Sequence, residues 1–360
     1  MEKPESRKVQ KVGESTLSVS LPKYWTEEVD LEAGDEVIFE KNKDGSLTLK
    51  NSRETEEGNP KCIIDFDSCR SQGLLSRAIV GAYILGYETV EISSDSKISM
   101  EQVNQIQRTM RRLNGMTILA QEPEKVVLHN FMDVEGSSVY IIIRKLYRTV
   151  LHMLDSAVYG LVQGKPDLIE EVGEMENDVD ILYWLILRQL LSAIEDEKIQ
   201  ERIGIESSPH IVGNRTTVKS LEGMADCIED MGEHVKFLLE NDVQLSRKGK
   251  ESLSEITELV HKQIGKSVES LIEQDVGKAN EVLESAEIED IISEFLNSLK
   301  DVDISQESVI RLNKIAWRLE RVIYYSKGIA EICINRKMEE SSEISEIEVG
   351  ESSTSSTSST

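Results

Sequence analysis

Two pairs of carboxylates stand four residues apart in segments of helical character. Glu176 and Asp180 lie in "MENDVDILYWLI", and Glu229 and Glu233 lie in "IEDMGEHVKFL". Side chains four apart share one face of a helix, so the members of each pair repel unless a cation lies between them. Carboxylate oxygens bind hard or borderline metal ions. Two such helices packed together could therefore form a metal site.

The same spacing also has an ordinary explanation. With 67 acidic residues in 360, about 12 acid pairs at this spacing arise by chance, and an acidic helix face is usually just solvated. Other chemistry has less support. Only Glu258 and His261 match the Glu-x-x-His pattern of a di-iron bundle, and the glycine spacing at 160–165 is too short for a P-loop. We see no Ser-His-Asp or Cys-His arrangement, and we expect a protein without enzymatic activity.

Composition limits the partners and the compartment. The chain has 360 residues, enough for two or three domains, and a formal net charge of -26. Such a chain repels nucleic acid on average, so DNA binding would require a local basic patch. The cysteines are scattered, no apolar run is long enough to span a membrane, and no segment resembles a signal peptide. We therefore expect a cytoplasmic protein.

The first third of the chain contains two regions with strand patterns. Residues 1–55 alternate apolar and polar side chains, with a turn at Asp44-Gly45, which predicts a β unit too small to build a core alone. Residues 60–133 follow the order β-α-β-α-β-β, with Ser99 as the cap of the second helix. This order predicts a small α/β domain.

The remaining chain has helical periodicity. Residues 137–242 predict three helices, with a loop at 198–215 that contains Pro209 and Gly213. Residues 247–337 predict a second set of three, and the two sets suggest a duplication. Residues 338–360 are rich in Ser, Glu and Thr, and we expect a disordered tail there. The predicted fold is thus multidomain: a small β domain, a small α/β domain and an all-α bundle.

The helical segments resemble motifs of the PhoU family. "IEDMGEHVKFL" is similar to the third-helix pattern L-E-R-I-G-D-H-A-x-N-I of that family, and "MENDVDILYWLI" to its second-helix pattern of acid-x-x-x-Asp. "LERVIYYSKGIAEI" at 319–332 matches L-E-R-I and the closing I-A-E. The resemblance covers 137–337 and implies two three-helix repeats. It also implies regulation of phosphate uptake and phosphate homeostasis through contacts with a phosphate transporter or a phosphate-sensing kinase.

The resemblance further implies a metal cluster on each repeat, bound by the carboxylate pairs. In the second repeat, Tyr324 stands where the family has Asp, and Ser285 or Ala286 stands where the first acid is expected. We therefore expect a divalent or iron-type metal ion at the first repeat alone. Its ligands would be those of the opening pairs: Glu176, Asp180, Glu229 and Glu233.

The N-terminal segments "KVQKVGESTLSVSLPKYW" and "LEAGDEV" resemble the AbrB/SpoVT swapped-hairpin domain. That resemblance implies a homodimer in which two chains interleave to bind DNA, and Arg7, Lys8 and Lys11 would form a basic arm. Residues 1–55 nevertheless hold 9 Lys and Arg against 12 Asp and Glu, so a dimerising module with solvated lysines is the alternative.

The three regions together resemble an archaeal-type phosphate uptake regulator, for which transcriptional regulation by DNA binding is an open further role. Two other functions stay open. One is a metal-binding scaffold that acts on a transporter or sensor kinase without meeting DNA. The other, less supported because His ligands are lacking, is a helix-bundle metalloenzyme.

Overall fold

The structure is a computed structural model that describes residues 5–41, 45–52, 61–69, 71–132, 136–285, 287–298, 304–339, 341–342 and 344–346. The chain divides into two compact units, Met1–Pro60 and Lys61–Thr360. A small β region, a small α/β region and a helical region follow one another along the chain, as the predicted fold class requires. Of the predicted tail, most lies outside the described residues. Among those residues, no helix is both long and apolar enough to cross a bilayer.

The first unit consists of two antiparallel hairpins and a short helix. They are β1 (Gln10–Val12), β2 (Thr16–Ser18), α1 (Lys23–Glu28), β3 (Val37–Lys41) and β4 (Leu47–Asn51). The alternating pattern predicts the hairpins but not α1, which begins after Pro22. Pro22 is the cap residue before the helix, with φ -63° and an extended ψ of 133°. Of the predicted Asp44-Gly45 turn, Asp44 lies outside the described residues.

Apolar side chains of the first unit remain largely exposed. Eight of them are more than a third exposed: Val9, Val12, Leu17, Val19, Tyr24, Ile38, Phe39 and Leu47. Asn51 is the sole buried side chain among the unit's described residues, and its amide donates a 2.8 Å hydrogen bond to the Val29 carbonyl. The unit therefore has no apolar core within the described part of one chain, in line with its small size.

The α/β region has the element order that the sequence predicts. Its elements are β5 (Lys61–Asp65), α2 (Leu74–Ile84), β6 (Thr89–Ser93), α3 (Met100–Arg111), β7 (Met116–Glu122) and β8 (Lys125–Asn130). The sheet order is β5-β6-β8-β7, and α2 connects the parallel pair β5 and β6. Ser99 caps α3 as predicted: its Oγ accepts from the Gln102 N–H, and the Gln102 side chain accepts from the Ser99 N–H.

The helical region contains eight helices within the described residues. They are α4 (Val139–Gln163), α5 (Asp167–Glu195), α6 (Glu197–Ile203), α7 (Ser208–Glu240), α8 (Arg247–Glu273), α9 (Val276–Leu283), α10 (Glu287–Ser298) and α11 (Gln306–Lys337). We call α4–α7 repeat 1 and α8–α11 repeat 2. One hydrophobic core runs through both repeats.

The predicted loop at 198–215 is wrong, because α6 and the first turns of α7 occupy it. Pro209 lies in the first turn of α7, where its missing N–H leaves no helical hydrogen bond unmade. Gly213 lies inside the helix, where a Cβ would come within 2.9 Å of Ile332 Cγ2. This glycine therefore permits close packing of α7 on α11 and does not break the helix.

Arg188 of α5 fastens the α/β region to the helical region. Its buried guanidinium donates to three carbonyls at the C-terminal end of α2: those of Tyr83 at 2.6 Å, Gly86 at 3.1 Å and Tyr87 at 3.3 Å. Helix ends leave such carbonyls without helical partners, and their partial negative charge favours a cation. Trp184, one turn earlier on α5, packs against the α/β core. These contacts hold α2 and α3 beside α5.

Candidate functional site

Helices α5 and α7 pack antiparallel through their apolar stripes. Val172 and Val179 of α5, and Ile228 and Met231 of α7, are all buried in this core. Gly232 faces α5 directly, since a Cβ built on it would make ordinary van der Waals contacts, 3.5 Å from Ile169 Cγ2 and 3.7 Å from Val172 Cγ1. The carboxylates that flank the two stripes are thereby brought to the same edge of the bundle.

Four acids meet at that edge, and we call them the acidic cluster: Glu176, Asp180, Asp226 and Glu229. Burial, followed by the charges of Asp180 and Glu229, raises the pKa of Glu176 to about 7. Burial is also the main cause that raises the pKa of Asp180 and that of Glu229, and Asp226 adds to both. The fold therefore holds several carboxylates close enough to oppose one another's ionisation.

The structure brings three of the four predicted ligands together. Glu233 lies one turn beyond Glu229 and raises the pKa of that residue, but it also lines a separate groove with Glu170 and Lys236. Sequence reasoning missed Asp226. The signal that could have identified it is the 4-3-4 spacing of Glu222, Asp226, Glu229 and Glu233, which places four acids on one face of α7.

A cation from another region lies at the acidic cluster. The guanidinium of Arg112, at the C-terminal end of α3, donates to Asp180 and lies 4.0 Å from a Glu176 oxygen. It also lies over the Trp184 ring, 5.0 Å from the centroid. Its positive charge lowers the pKa of Glu176 and of Asp180 and so opposes the effect of burial. Nothing in the local sequence of α3 indicates this pairing across 68 residues.

The donor set matches a hard metal ion in chemistry but not in this arrangement. Among the described residues, no three His, Cys, Asp or Glu side chains are grouped so that they could hold a metal. Arg112 already supplies the positive charge that faces Asp180 and Glu176. The residues do not fit a metal ion while this guanidinium is in place.

Residues 143–235 match the PhoU domain family. This span of the chain is similar to a PhoU domain. The matched span runs from α4 to α7 and contains all four predicted metal ligands. Residues 10–57 match a second family, "Antidote-toxin recognition MazE, bacterial antitoxin". A comparison with curated proteins gives no match.

Two solved PhoU proteins are similar to this chain. PhoU from Pseudomonas aeruginosa has 16% identity and a TM-score of 0.43, and the match covers 54% of this chain and 93% of that one. The phosphate transport system regulatory protein PhoU from Streptococcus pneumoniae has 17% identity and a TM-score of 0.45, with 56% and 94% covered.

In repeat 2, Tyr324 occupies the position at which the PhoU motif predicts an acid, so the acid pair of repeat 1 has no counterpart there. This side chain is 63% exposed, and the Arg321 guanidinium lies 4.7 Å from its ring centroid. Glu320, in the matching motif, is also exposed. At the other predicted position, Ser285 is described and Ala286 lies outside the described residues. The substitutions thus leave an aromatic and basic surface.

The predicted basic arm lies in the first unit, just before and within β1. Arg7 forms a 2.6 Å ion pair with Glu5, while Lys8 and Lys11 are exposed. The ion pair reduces the positive charge that the arm could offer to phosphate groups.

Proposed function

We propose that this protein regulates phosphate uptake and phosphate homeostasis in the cytoplasm. It would act by contact with a phosphate transporter or a phosphate-sensing kinase and would catalyse no reaction. The observation that carries the proposal is the PhoU domain at 143–235, whose second and third long helices bear the acidic cluster.

Deletion of the gene in its host tests this role. We expect phosphate uptake in phosphate-rich medium to become insensitive to phosphate and the intact gene to restore control. Glu176→Gln with Asp180→Asn should restore it poorly, whereas Glu258→Gln, at an exposed position on α8, should restore it fully. Unaltered uptake in the deletion strain would refute the role.

The protein would act as a homodimer formed by its first unit. The eight exposed apolar side chains of this unit, and its two separate two-stranded sheets, support pairing with a second copy. A chain that lacks residues 1–60 keeps the cores of the second unit and should be a smaller oligomer in light scattering. If it has the same oligomeric state as the full chain, the dimer surface lies elsewhere.

DNA binding by the arm is the further part of this proposal. Lys8→Ala with Lys11→Ala should weaken binding to all sequences and flatten its salt dependence in gel-shift titrations. The alternative is a scaffold that never meets DNA. The acid excess of residues 1–55 and the Arg7–Glu5 ion pair support it. Equal binding and an equal salt slope for the variant would exclude the arm as the contact, and the absence of any shift would favour the scaffold.

A metal ion at repeat 1 would compete with Arg112. The carboxylate donors support such an ion, and the ion pair to Asp180 must open to admit it. Arg112→Ala should therefore increase the metal bound per chain, measured by elemental analysis after incubation with Mn²⁺ or Fe²⁺. Glu229→Gln with Glu233→Gln should abolish the metal. Loading that is unaffected by both changes would place the metal elsewhere.

A further inference from the structure

A cavity of about 750 Å³ lies between α2, α3 and α5, at the junction of the α/β and helical regions. Its apolar lining comes from Val80, Gly81, Ile84 and Trp184. Gly81 faces open space, since a Cβ built on it meets nothing within 4 Å. The volume falls in the range of about 300–1,000 Å³ that is usual for small-molecule sites.

Three arginines line the same cavity, in a chain whose net charge is -26. Arg77 belongs to α2, while Arg108 and Arg112 lie four apart at the end of α3, where like charges on one helix face repel each other. Arg77 and Arg108 donate long hydrogen bonds to main-chain carbonyls, at 3.4 and 3.3 Å, and form no ion pair with another described residue. Glu101 is the one acid among the described lining residues. The cavity therefore has a positive excess that suits an anion.

Arg112 belongs to both the cavity and the acidic cluster. It pairs with Asp180 on one side and covers the Trp184 ring on the other. Its Nε is buried and has no hydrogen-bond partner in the structure. A modest rotation of this side chain towards the cavity would satisfy that N–H with an anionic ligand and would uncover the face of the indole.

We propose that this cavity binds a small organic phosphate that carries a planar ring, with the phosphate on the arginines and the ring on Trp184. Guanidinium groups present paired N–H donors that match phosphate oxygens, and a tryptophan face supports a flat ring. The ligand competes with Asp180 for Arg112, so binding in the cavity weakens the Arg112–Asp180 ion pair, and the ion pair weakens binding. The inference rests on the cavity alone and holds whether or not the protein regulates phosphate uptake.

The ligand site is tested with the full chain and Trp184 as the reporter. The chain has three tryptophans, so Trp25→Phe with Trp317→Phe leaves Trp184 as the single tryptophan, which is excited selectively at about 295 nm. The probes are ATP, adenosine and inorganic phosphate, each added without a divalent metal, and calorimetry on the unaltered chain checks the affinities. We expect ATP to quench the fluorescence and to bind at least about tenfold more tightly than either fragment, because only ATP supplies both contacts.

Variants separate this site from general charge attraction. Arg77→Ala with Arg108→Ala should weaken ATP binding by about tenfold or more, and both positions are exposed, so folding should persist. Arg111→Ala, an exposed neighbour that does not line the cavity, is the matched control and should change affinity less than about twofold. Asp180→Asn should tighten ATP binding because it releases Arg112.

The contrary results are equally definite. Equal affinities for ATP and phosphate would overturn the ring contact, and equal affinities for ATP and adenosine would overturn the anion site. An absence of any ATP response up to millimolar concentration, or an equal loss of affinity in Arg77→Ala/Arg108→Ala and Arg111→Ala, would overturn the proposal as a whole.

Discussion

The two helical repeats share one apolar core but carry opposite chemistry on their polar faces. In repeat 1, Glu176 and Asp180 are about 15% exposed and face further acids on α7. In repeat 2, helix α11, which corresponds to α7, presents Arg321 and Tyr324 to solvent. Both repeats thus keep the stripes that build the bundle, and repeat 1 has a cation, Arg112, at its acidic edge.

The difference shows how a buried acid pair ties separate regions together. Partial burial removes water that would otherwise stabilise the charged carboxylates. The Arg112 guanidinium of α3 supplies the opposite charge beside Asp180 instead. In return, the α/β region gains a contact to α5 besides the Arg188 caps. Side chains on the exposed surface of repeat 2 are solvated by water and need no counter-charge, so their residue types can differ from those of repeat 1.

The largest effect is expected when the shared cation is removed. Arg112→Ala should lower the free energy of unfolding by about 2 kcal/mol at pH 8, since it leaves Asp180 and Glu176 without their counter-charge. The loss should shrink at pH 5, where Glu176 is protonated. Urea denaturation at both pH values measures this.

Arg111→Ala is the matched control, because this exposed neighbour should change stability by less than about 0.5 kcal/mol. If Arg112→Ala and Arg111→Ala have equal free energies of unfolding, the Arg112 ion pair contributes nothing to stability. The two repeats would then not differ in the electrostatic way described above.

A smaller effect of opposite sign is expected at Glu176. Its pKa is about 7 in the fold and 4.5 in the unfolded chain, so between these values the folded state binds more protons. Its contribution is therefore favourable at low pH and is lost as the pH rises from about 4.5 to about 7. Glu176→Gln should stabilise the protein by about 1 kcal/mol at pH 8 and should flatten this part of the stability profile.

The same substitution should have little effect at pH 4.5, where both the folded and unfolded forms carry a neutral side chain for much of the time. Glu320→Gln, an exposed glutamate of repeat 2, serves as the control and should leave the profile unchanged. A wild-type profile that is level between pH 5 and 8 would contradict the raised pKa.

The smallest effect is expected in repeat 2. Tyr324→Asp restores the acid of the PhoU motif at an exposed position and should change stability by less than about 0.5 kcal/mol. It should also fail to add bound metal, because Ser285 and Ala286 supply no acid partner. Metal analysis of this variant decides the matter, and a second metal equivalent would show that the two repeats differ less than their surfaces indicate.

The sequence by itself determined the elements and much of the site. Period-two and period-3.6 patterns are local, so the hairpins, the α/β order, the Ser99 cap and the long helices could be predicted from neighbouring residues. The acid-x-x-x-acid pairs lay beside apolar stripes, and that placement was enough to predict that Glu176, Asp180 and Glu229 come together. Pro209 and Gly213 misled the prediction, since their effect depends on helix position and on packing against α11.

Only the tertiary structure decided which charges meet across the chain. Arg112 is one of 41 basic residues, and no local pattern distinguishes it until α3 is placed beside α5. Placement also adds Asp226 to the acids around Glu176 and opens the arginine-lined cavity at the junction. The physical reason is that burial sets the strength of electrostatic interactions, and burial is a property of the packed fold rather than of any segment.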